Sequence, residues 1–160
     1  MRALGSSLVP ALVAPLVIML AAAGSQERIV NKGDADRIFG LTRPQWEAEA
    51  KQMVHPGGWK VRLNPVATGT GLMAFDPKTG TGLSVQPFFR DRQGPPEMLI
   101  VGSYFPAGTF REFSEQLKRD MEAAARSDLG PAYSVTISFS RMASPAPGLD
   151  VVEVIITRAP

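Results

Sequence analysis

The sequence predicts an α+β domain: an antiparallel β-sheet of about five or six strands, with one long amphipathic helix and a second, shorter helix packed on it. Three observations support this class. Several short segments alternate apolar and polar residues at a period of two, as half-buried strands do. Two segments begin with helix-capping residues and carry apolar residues at helical spacing. Proline- and glycine-rich turns join consecutive strand segments, which is typical of hairpins.

Length and composition favour one folded domain. The chain has 160 residues, of which 44% are hydrophobic and 20% charged, so it can bury a core. It contains no cysteine and one histidine, His55. Thiolate nucleophiles, disulfides and multi-histidine metal sites are therefore excluded. The net charge is only +2, and no concentrated basic face points to nucleic acid. We expect no nucleic-acid partner, no metal and no other cofactor.

The N-terminus has the layout of a cleavable secretory signal peptide. Arg2 gives a positive start, and residues 8–23 form an uncharged run that ends in small residues. This run of about 16 residues is shorter than the roughly 20 that span a bilayer, so cleavage is expected rather than a membrane anchor. The sequence thus predicts a signal peptide over 1–24, an N-terminal arm over 25–41 and a single α+β domain over 42–160. The mature protein is expected in the periplasm, or secreted, without a membrane span.

The shorter helix is predicted over residues 43–54. Thr42 and Gln45 have the spacing of a capping box, in which each side chain satisfies the other residue's backbone N–H. The helix is expected to end before Pro56, because the residue preceding a proline avoids the helical conformation.

The longer helix is predicted over residues 110–127. Thr109 and Glu112 have the spacing of a second capping box. Apolar residues recur along one side of this helix, and we expect them to form its buried stripe. They are Phe110, Phe113, Leu117, Met121 and Ala124.

Strands are predicted at five places. They are residues 59–63, the two arms of a hairpin over 68–89, residues 98–105, residues 133–140 and residues 149–158. The strand over 98–105 is apolar on both faces and is expected at the centre of the sheet, and that over 149–158 is also expected inside it. Pro87 cannot donate to a ladder, so the second hairpin arm is expected to be an edge strand or to be bulged at this residue.

Motifs that could carry chemistry have simpler structural interpretations. Gly69–Ala74 matches a dinucleotide fingerprint, but no helix follows it. His55 lies in the turn that ends a helix, and no G-x-S-x-G motif accompanies it. Asp34 and Asp36 lack the later ligands of a calcium loop and suit a solvated arm. The spacing of the carboxylates near strand ends selects no catalytic pair. These are Asp76, Glu97, Asp150 and Glu153. We expect no catalytic residue.

One cluster does suggest a binding surface. Neighbours in a strand point to opposite faces, so at least one of Phe88 and Phe89 must leave the core. An exposed aromatic beside arginines is a combination enriched at protein interfaces. We predict that Phe88, Arg90 and Arg92 contact another periplasmic or envelope protein. The alternative is that the loop over 90–96 is an ordinary solvated connection and that both aromatics are buried.

The chain also resembles a known fold family. A Pro-Gly-Gly-Trp element at 56–59, a glycine-rich hairpin and the helix Phe-Arg-Glu-Phe-Ser-Glu-Gln-Leu-Lys at 110–118 resemble PsbP-like α/β/α sandwich domains. The resemblance implies a non-enzymatic accessory or partner-binding role and contributes no catalytic residues. An exported, non-catalytic partner-binding domain is therefore expected. The alternative is a small periplasmic hydrolase or small-molecule-binding protein with a pocket between the long helix and the sheet.

Overall fold

The computed structural model describes residues 32–53, 60–78, 81–110, 112–142 and 148–160. Along the chain, their elements are α1 (Lys32–Phe39), α2 (Arg43–Ala50), β1 (Lys60–Val66), β2 (Gly69–Phe75), β3 (Gly82–Phe88), β4 (Met98–Pro106), α3 (Glu115–Leu129), β5 (Tyr133–Met142) and β6 (Leu149–Arg158). The strands form one antiparallel sheet in the order β1-β2-β3-β4-β6-β5. The predicted α+β class with a six-stranded sheet is confirmed. The predicted signal peptide lies outside the described residues.

The two strands with the most apolar sequences lie inside the sheet, as predicted. β4 pairs with β3 and β6, and β6 pairs with β4 and β5. Alternate residues of these strands face the helices and are fully buried, among them Leu99 and Val101 on β4 and Val154 and Ile156 on β6. Trp46 belongs to the same cluster. Each such side chain contributes roughly 1.5–3 kcal/mol on burial, so this layer is the main source of stability.

Part of the segment predicted as an N-terminal arm over 25–41 forms the helix α1, Lys32–Phe39. Ala35, Ile38 and Phe39 of α1 are buried in the core. The ring of Phe39 lies 5.3 Å from that of Tyr133, measured between centroids. Two turns are too few to show a clear helical period in the sequence, and α1 owes its stability to this docking rather than to its own propensity.

The first capping box is confirmed, but α2 is shorter than predicted. Thr42 and Gln45 form the box at its start, and the backbone N–H of Thr42 donates to the Gln45 side chain at 2.8 Å. The helix ends at Ala50 instead of residue 54. The next backbone bonds run to the carbonyl three residues back, from Gln52 to Glu49 at 2.9 Å. Pro56 therefore sets only the last position at which the helix could end, and the backbone changes to a three-residue hydrogen-bonding pattern before that position.

The second capping box is wrong, and with it the start predicted for the helix over 110–127. The helix begins at Glu115, and its N-cap is Ser114, whose hydroxyl accepts from the backbone N–H three residues on at 3.1 Å. The hydroxyl of Thr109 instead donates to a turn carbonyl three residues before it, at 2.6 Å. Glu112 lies in the segment between turn and helix. The two capping signals, Thr109 and Ser114, lie five residues apart. Because the hydroxyl of Thr109 bonds within the turn, the helix begins at the second signal.

The buried stripe of α3 is shifted accordingly. Met121, Ala125 and Leu129 are buried, whereas Ala124 is exposed. Spacings of four residues connect these positions to the half-buried Leu117, as expected for one helix face. Phe110 and Phe113, which were predicted in the stripe, lie before the helix. Phe110 is buried, and the ring of Phe113 stacks on that of Phe139 with centroids 4.7 Å apart.

Pro87 lies in an interior strand, so the predicted edge position is wrong. β3 pairs with β2 on one side and with β4 on the other. There is no bulge either, because the β2–β3 register is the same on both sides of the proline. Leu72 pairs with Val85 before it, and the backbone N–H of Phe89 donates to the carbonyl of Thr68 at 2.8 Å after it. The number of residues between these two points is therefore the same on β2 and on β3.

Side chains satisfy backbone carbonyls around this proline, including the one that lacks a donor because proline has no N–H. Thr70 and Pro87 lie midway between the Leu72–Val85 pair and the Phe89–Thr68 hydrogen bond, and proline has no N–H to offer the Thr70 carbonyl. The indole Nε1 of Trp46 donates to that carbonyl. The Nε2 of Gln86 donates to the carbonyl of Pro87 at 3.1 Å. The interior position is therefore possible because neighbouring side chains satisfy the backbone groups.

Candidate functional site: the open face of the sheet

The sheet has a second face, which we call the open face. The described helices contact the opposite face, through α3 against β5 and α2 against β2. Large apolar side chains nevertheless lie on the open face and are half-buried there, outside the hydrophobic core cluster. They are Met73, Phe75, Phe88, Met98, Ile100, Tyr104 and Ile155. On β4, Met98 and Ile100 are therefore half-buried on the open face, whereas Leu99 and Val101 are fully buried on the other face.

Aromatic side chains lie over glycines on this face. Gly82 pairs with Phe75 on one side and with Tyr104 on the other. The two rings meet over it, with centroids 5.5 Å apart. A Cβ atom on Gly82 would lie 2.3 Å from the Phe75 ring. Only glycine leaves room for this arrangement, which gives the open face a smooth apolar centre.

A second glycine extends the same surface towards β6. At Gly102 a Cβ atom would lie 2.4 Å from the Ser84 hydroxyl and 3.4 Å from the Tyr104 ring. The hydroxyls of Ser84 and Tyr104 are 3.3 Å apart, within hydrogen-bonding distance. The polar tip of Tyr104 thus stays on the surface while its ring is held against the sheet, as is common for tyrosines at interfaces.

The apolar centre has polar margins. At one edge, Lys60 and Arg62 of β1 are exposed on the open face. At the other edge, β5 contributes a row of hydroxyl side chains. They are Ser134, Thr136, Ser138 and Ser140. Glu153 of β6 lies between Gly102 and Ser138 and is half-buried. An apolar centre with a polar rim is the composition of protein interfaces.

The predicted contact residues adjoin this face. Phe88 lies on it opposite Met98 and is half-buried, whereas Phe89 is buried with 4% exposure. The prediction that one of the two leaves the core is confirmed. Arg90 has 82% of its side chain exposed and pairs with Glu97 at 3.1 Å. The backbone N–H of Glu97 donates to the carbonyl of Phe88 at 2.8 Å, so this ion pair lies beside the aromatic.

The loop after β3 also forms a shallow groove of about 430 Å³. The residues that line it are Arg90, Asp91, Gly94, Pro95, Pro96, Glu97 and Arg158. Arg92, the third predicted contact residue, is exposed and lies outside this set. The structure therefore brings Phe88 and Arg90 together and leaves Arg92 on the periphery.

Among the carboxylates considered for catalysis, Asp150 is structural. It is fully buried, and its oxygens accept from the backbone N–H groups of Gly108 and Phe110 at 3.0 and 3.1 Å and from Arg141 at 2.7 Å. Burial by itself raises the pKa of Asp150, but the hydrogen bonds from Arg141 and the two backbone groups outweigh it and hold the pKa below its usual value. These bonds fix the turn after β4. Glu153, three residues on, lies on the opposite face of the strand.

The remaining candidates are distributed over different parts of the molecule. Asp36 accepts from the Tyr133 hydroxyl at 2.6 Å. Asp34 has a buried oxygen without a hydrogen-bond partner among the described residues, and burial raises its pKa despite the attraction of Arg37. Both lie on helix α1. Asp36 is exposed, as the interpretation as a solvated segment expects, whereas Asp34 is half-buried and departs from it. His55 lies outside the described residues.

The described residues also show neither a metal-binding cluster nor a membrane-spanning helix. No group of three or more His, Cys, Asp or Glu side chains within them could hold a metal ion. None of the helices α1, α2 and α3 is long and apolar enough to cross a membrane. Between α3 and β5, where the alternative pocket was predicted, lie the buried side chains of Met121, Ala125, Leu129, Val135 and Ile137.

Comparison with known proteins gives no relative from which to transfer a function. No family model matches the chain, and no curated protein or solved structure matches it either. The resemblance to PsbP-like domains stays a prediction from the sequence. Sequence reasoning found Phe88 and Arg90 but missed the apolar centre around Phe75 and Tyr104. Gly82 and Gly102, the glycines beside these aromatics, belong to different strands, so their shared role is visible only in the assembled sheet.

Proposed function

We propose that this chain is an exported, non-catalytic domain that binds another protein of the periplasm or cell envelope through the open face. The observation that carries the proposal is the half-buried apolar centre formed by Phe75, Tyr104 and Ile100, which no described helix covers. A contiguous apolar surface that is only half-buried, with polar margins, is a common feature of interaction sites.

The margin of the face supports the same function. Phe88 lies at one end of the apolar centre, and the exposed Arg90 follows it in the adjoining loop. Aromatic and arginine side chains are the residues whose truncation most often weakens binding at interfaces. Arg92 contributes at the periphery, where charges influence the rate of association more than the final affinity. The three residues therefore form one end of the proposed contact surface.

A binding experiment with folded variants tests this function. The wild-type chain, Phe88→Ala, Arg90→Ala and Ile100→Ser are immobilised and used to capture proteins from a periplasmic extract. Arg119→Ala, on the exposed outer side of α3, is the matched control. A partner that is captured by the wild type and the control but reduced severalfold with Phe88→Ala and Ile100→Ser supports the proposal. Equal capture by all five proteins contradicts it.

Export is tested separately on the same material. Mass spectrometry of the protein from the periplasmic fraction should show a chain that lacks about 24 N-terminal residues, as expected for a cleaved signal peptide. A full-length chain that stays in the cytoplasm contradicts this part of the proposal.

A further inference from the structure

The two outer strands of the sheet differ in the state of their edges. On β5, the carbonyl of Val135 accepts from Arg126 at 3.2 Å, and the N–H of Ile137 donates to Glu122 at 3.0 Å. Arg126 and Glu122 also pair with each other at 3.4 Å, one turn apart on α3. The helix thus supplies the donors and acceptors that another strand would supply. Natural sheets use such coverage to prevent the addition of a strand.

Among the described residues, none covers the edge of β1 in the same way. Val66 and Gly69 close a two-residue turn, so the backbone groups of Val66 must bond to β2. By alternation, the N–H and C=O groups of Val61 and Leu63 and the carbonyl of Pro65 face away from β2. Within the described part of the chain, no residue hydrogen-bonds to these outward groups. Two donors and three acceptors are therefore available along this edge.

The side chains of β1 are also exposed. All residues of the strand except Val61 are exposed, on both faces. Leu63 and Val66, with 42% and 37% exposure, are two of the most exposed large apolar side chains that the structure describes. An edge that combines free backbone groups with exposed apolar side chains is the template used in strand addition.

The charges on β1 specify the chemistry of the partner strand. Lys60 and Arg62 lie on the open-face side, whereas Val61 and Leu63 lie on the helix side. An added strand that alternates acidic and apolar residues would place carboxylates opposite the two cations and apolar groups beside Leu63. Like charges on neighbouring strands are destabilising. Pairing of β1 with β1 of a second copy would gather four cations on one face, so a second copy is disfavoured as the occupant.

We infer that the β1 edge binds an extended segment of another polypeptide, with alternating acidic and apolar side chains, by strand addition to the sheet. The backbone groups of Val61 and Leu63 provide the hydrogen bonds, and Lys60 and Arg62 select the acidic face of the segment. The inference goes beyond the proposed function, because it concerns the edge rather than the open face. It stands or fails independently of the Phe88 variants.

Peptide binding to the mature protein tests the inference. The probe is an eight-residue peptide with blocked ends that alternates glutamate and valine, and its control alternates lysine and valine. The acidic peptide should bind at least about tenfold more tightly than the basic one and should slow hydrogen exchange at the Val61 and Leu63 amides. Equal binding of both peptides, or protection confined to other strands, would overturn the inference.

Two variants identify the edge itself. Leu63→Pro removes an outward donor and leaves the bonds to β2 in place, so it should weaken binding about tenfold or more, whereas Leu63→Val should bind as the wild type does. If Leu63→Pro does not fold, a double variant at two exposed residues, Lys60→Glu with Arg62→Glu, tests the inference instead. This double variant should prefer the basic peptide. Unchanged preference overturns the inference, as does a dimer in sedimentation experiments that Leu63→Pro abolishes and the acidic peptide does not displace.

Discussion

The indole nitrogen of Trp46 donates its hydrogen to the backbone carbonyl of Thr70, which lies on β2 at the level of Pro87 on β3. This contact joins α2 to a point at which the proline offers β2 no donor. A helix side chain thus performs the role of a strand N–H, which allows a proline in an interior strand.

This relationship predicts a coupling between Trp46 and Pro87. Trp46→Phe keeps an aromatic ring but leaves the Thr70 carbonyl buried without a donor, which should cost about 1–3 kcal/mol in the free energy of unfolding. In a Pro87→Val background, the ladder regains an N–H, and the same change should cost about 0.5–1 kcal/mol less. Denaturant unfolding of the four proteins measures this coupling. Strictly additive effects would show that the indole bond does not substitute for the ladder.

Asp150 is predicted to stabilise the turn after β4 in its charged form. Asp150→Asn keeps the shape but weakens the bonds to Gly108, Phe110 and Arg141, and should cost about 1.5–3 kcal/mol at neutral pH. Because hydrogen bonds lower the pKa of Asp150 in the folded protein, its contribution is present above the unfolded pKa of about 3.9 and is lost as the pH falls through the lower folded value.

Urea unfolding from pH 7 down to pH 2 measures this contribution. The wild type should lose its advantage over Asp150→Asn below about pH 4. A difference in stability that is the same at pH 7 and pH 2 would show that the charge of Asp150 is not what matters.

Tyr133 gives a prediction at alkaline pH. Burial and the hydrogen bond to Asp36 raise the pKa of Tyr133 to about 12. Since the folded value lies above the unfolded value of about 10, this contribution to stability is complete below about pH 10 and is lost as the pH rises through about 12. The chain has two tyrosines, so absorbance of a Tyr104→Phe variant reports on Tyr133 alone. Tyrosinate formation near pH 10 in the folded variant would contradict the contact with Asp36.

The shifted stripe of α3 can be tested with two substitutions. Leu129→Ala removes a fully buried side chain and should destabilise the protein by about 2–5 kcal/mol. Ala124→Ser, at an exposed position of the same helix, should change the stability by less than about 0.5 kcal/mol. Thermal unfolding monitored by circular dichroism distinguishes the two. A larger loss at Ala124 than at Leu129 would restore the stripe predicted from the sequence.

The sequence could predict features that depend on neighbours along the chain. The capping box of Thr42 and Gln45 is local, and the period of two in β5 is visible without the rest of the protein. The position of Pro87 could not be predicted, because the donor that replaces its N–H belongs to Trp46, far away in the sequence. A rule about prolines in strands fails where a distant side chain satisfies the partner carbonyl.

The candidate site was predictable only in part for a similar reason. Phe88 was found because adjacent aromatics cannot both face the core. The apolar character of Met98 and Ile100 in β4 was visible, but it indicates two apolar faces without showing how completely each is covered. The open face becomes apparent only once the helices are placed, since all their described contacts with the sheet use the other face.

Site-specific photocrosslinking in the expressing cell tests the central claim most directly. A photoreactive phenylalanine analogue is introduced in place of Phe88 on the open face and, as a control, in place of Arg119 on the outer side of α3. The account predicts a discrete crosslinked complex with one envelope protein from position 88 and none from position 119. The same pattern from both positions, or no complex from position 88 in a folded and exported chain, would contradict it.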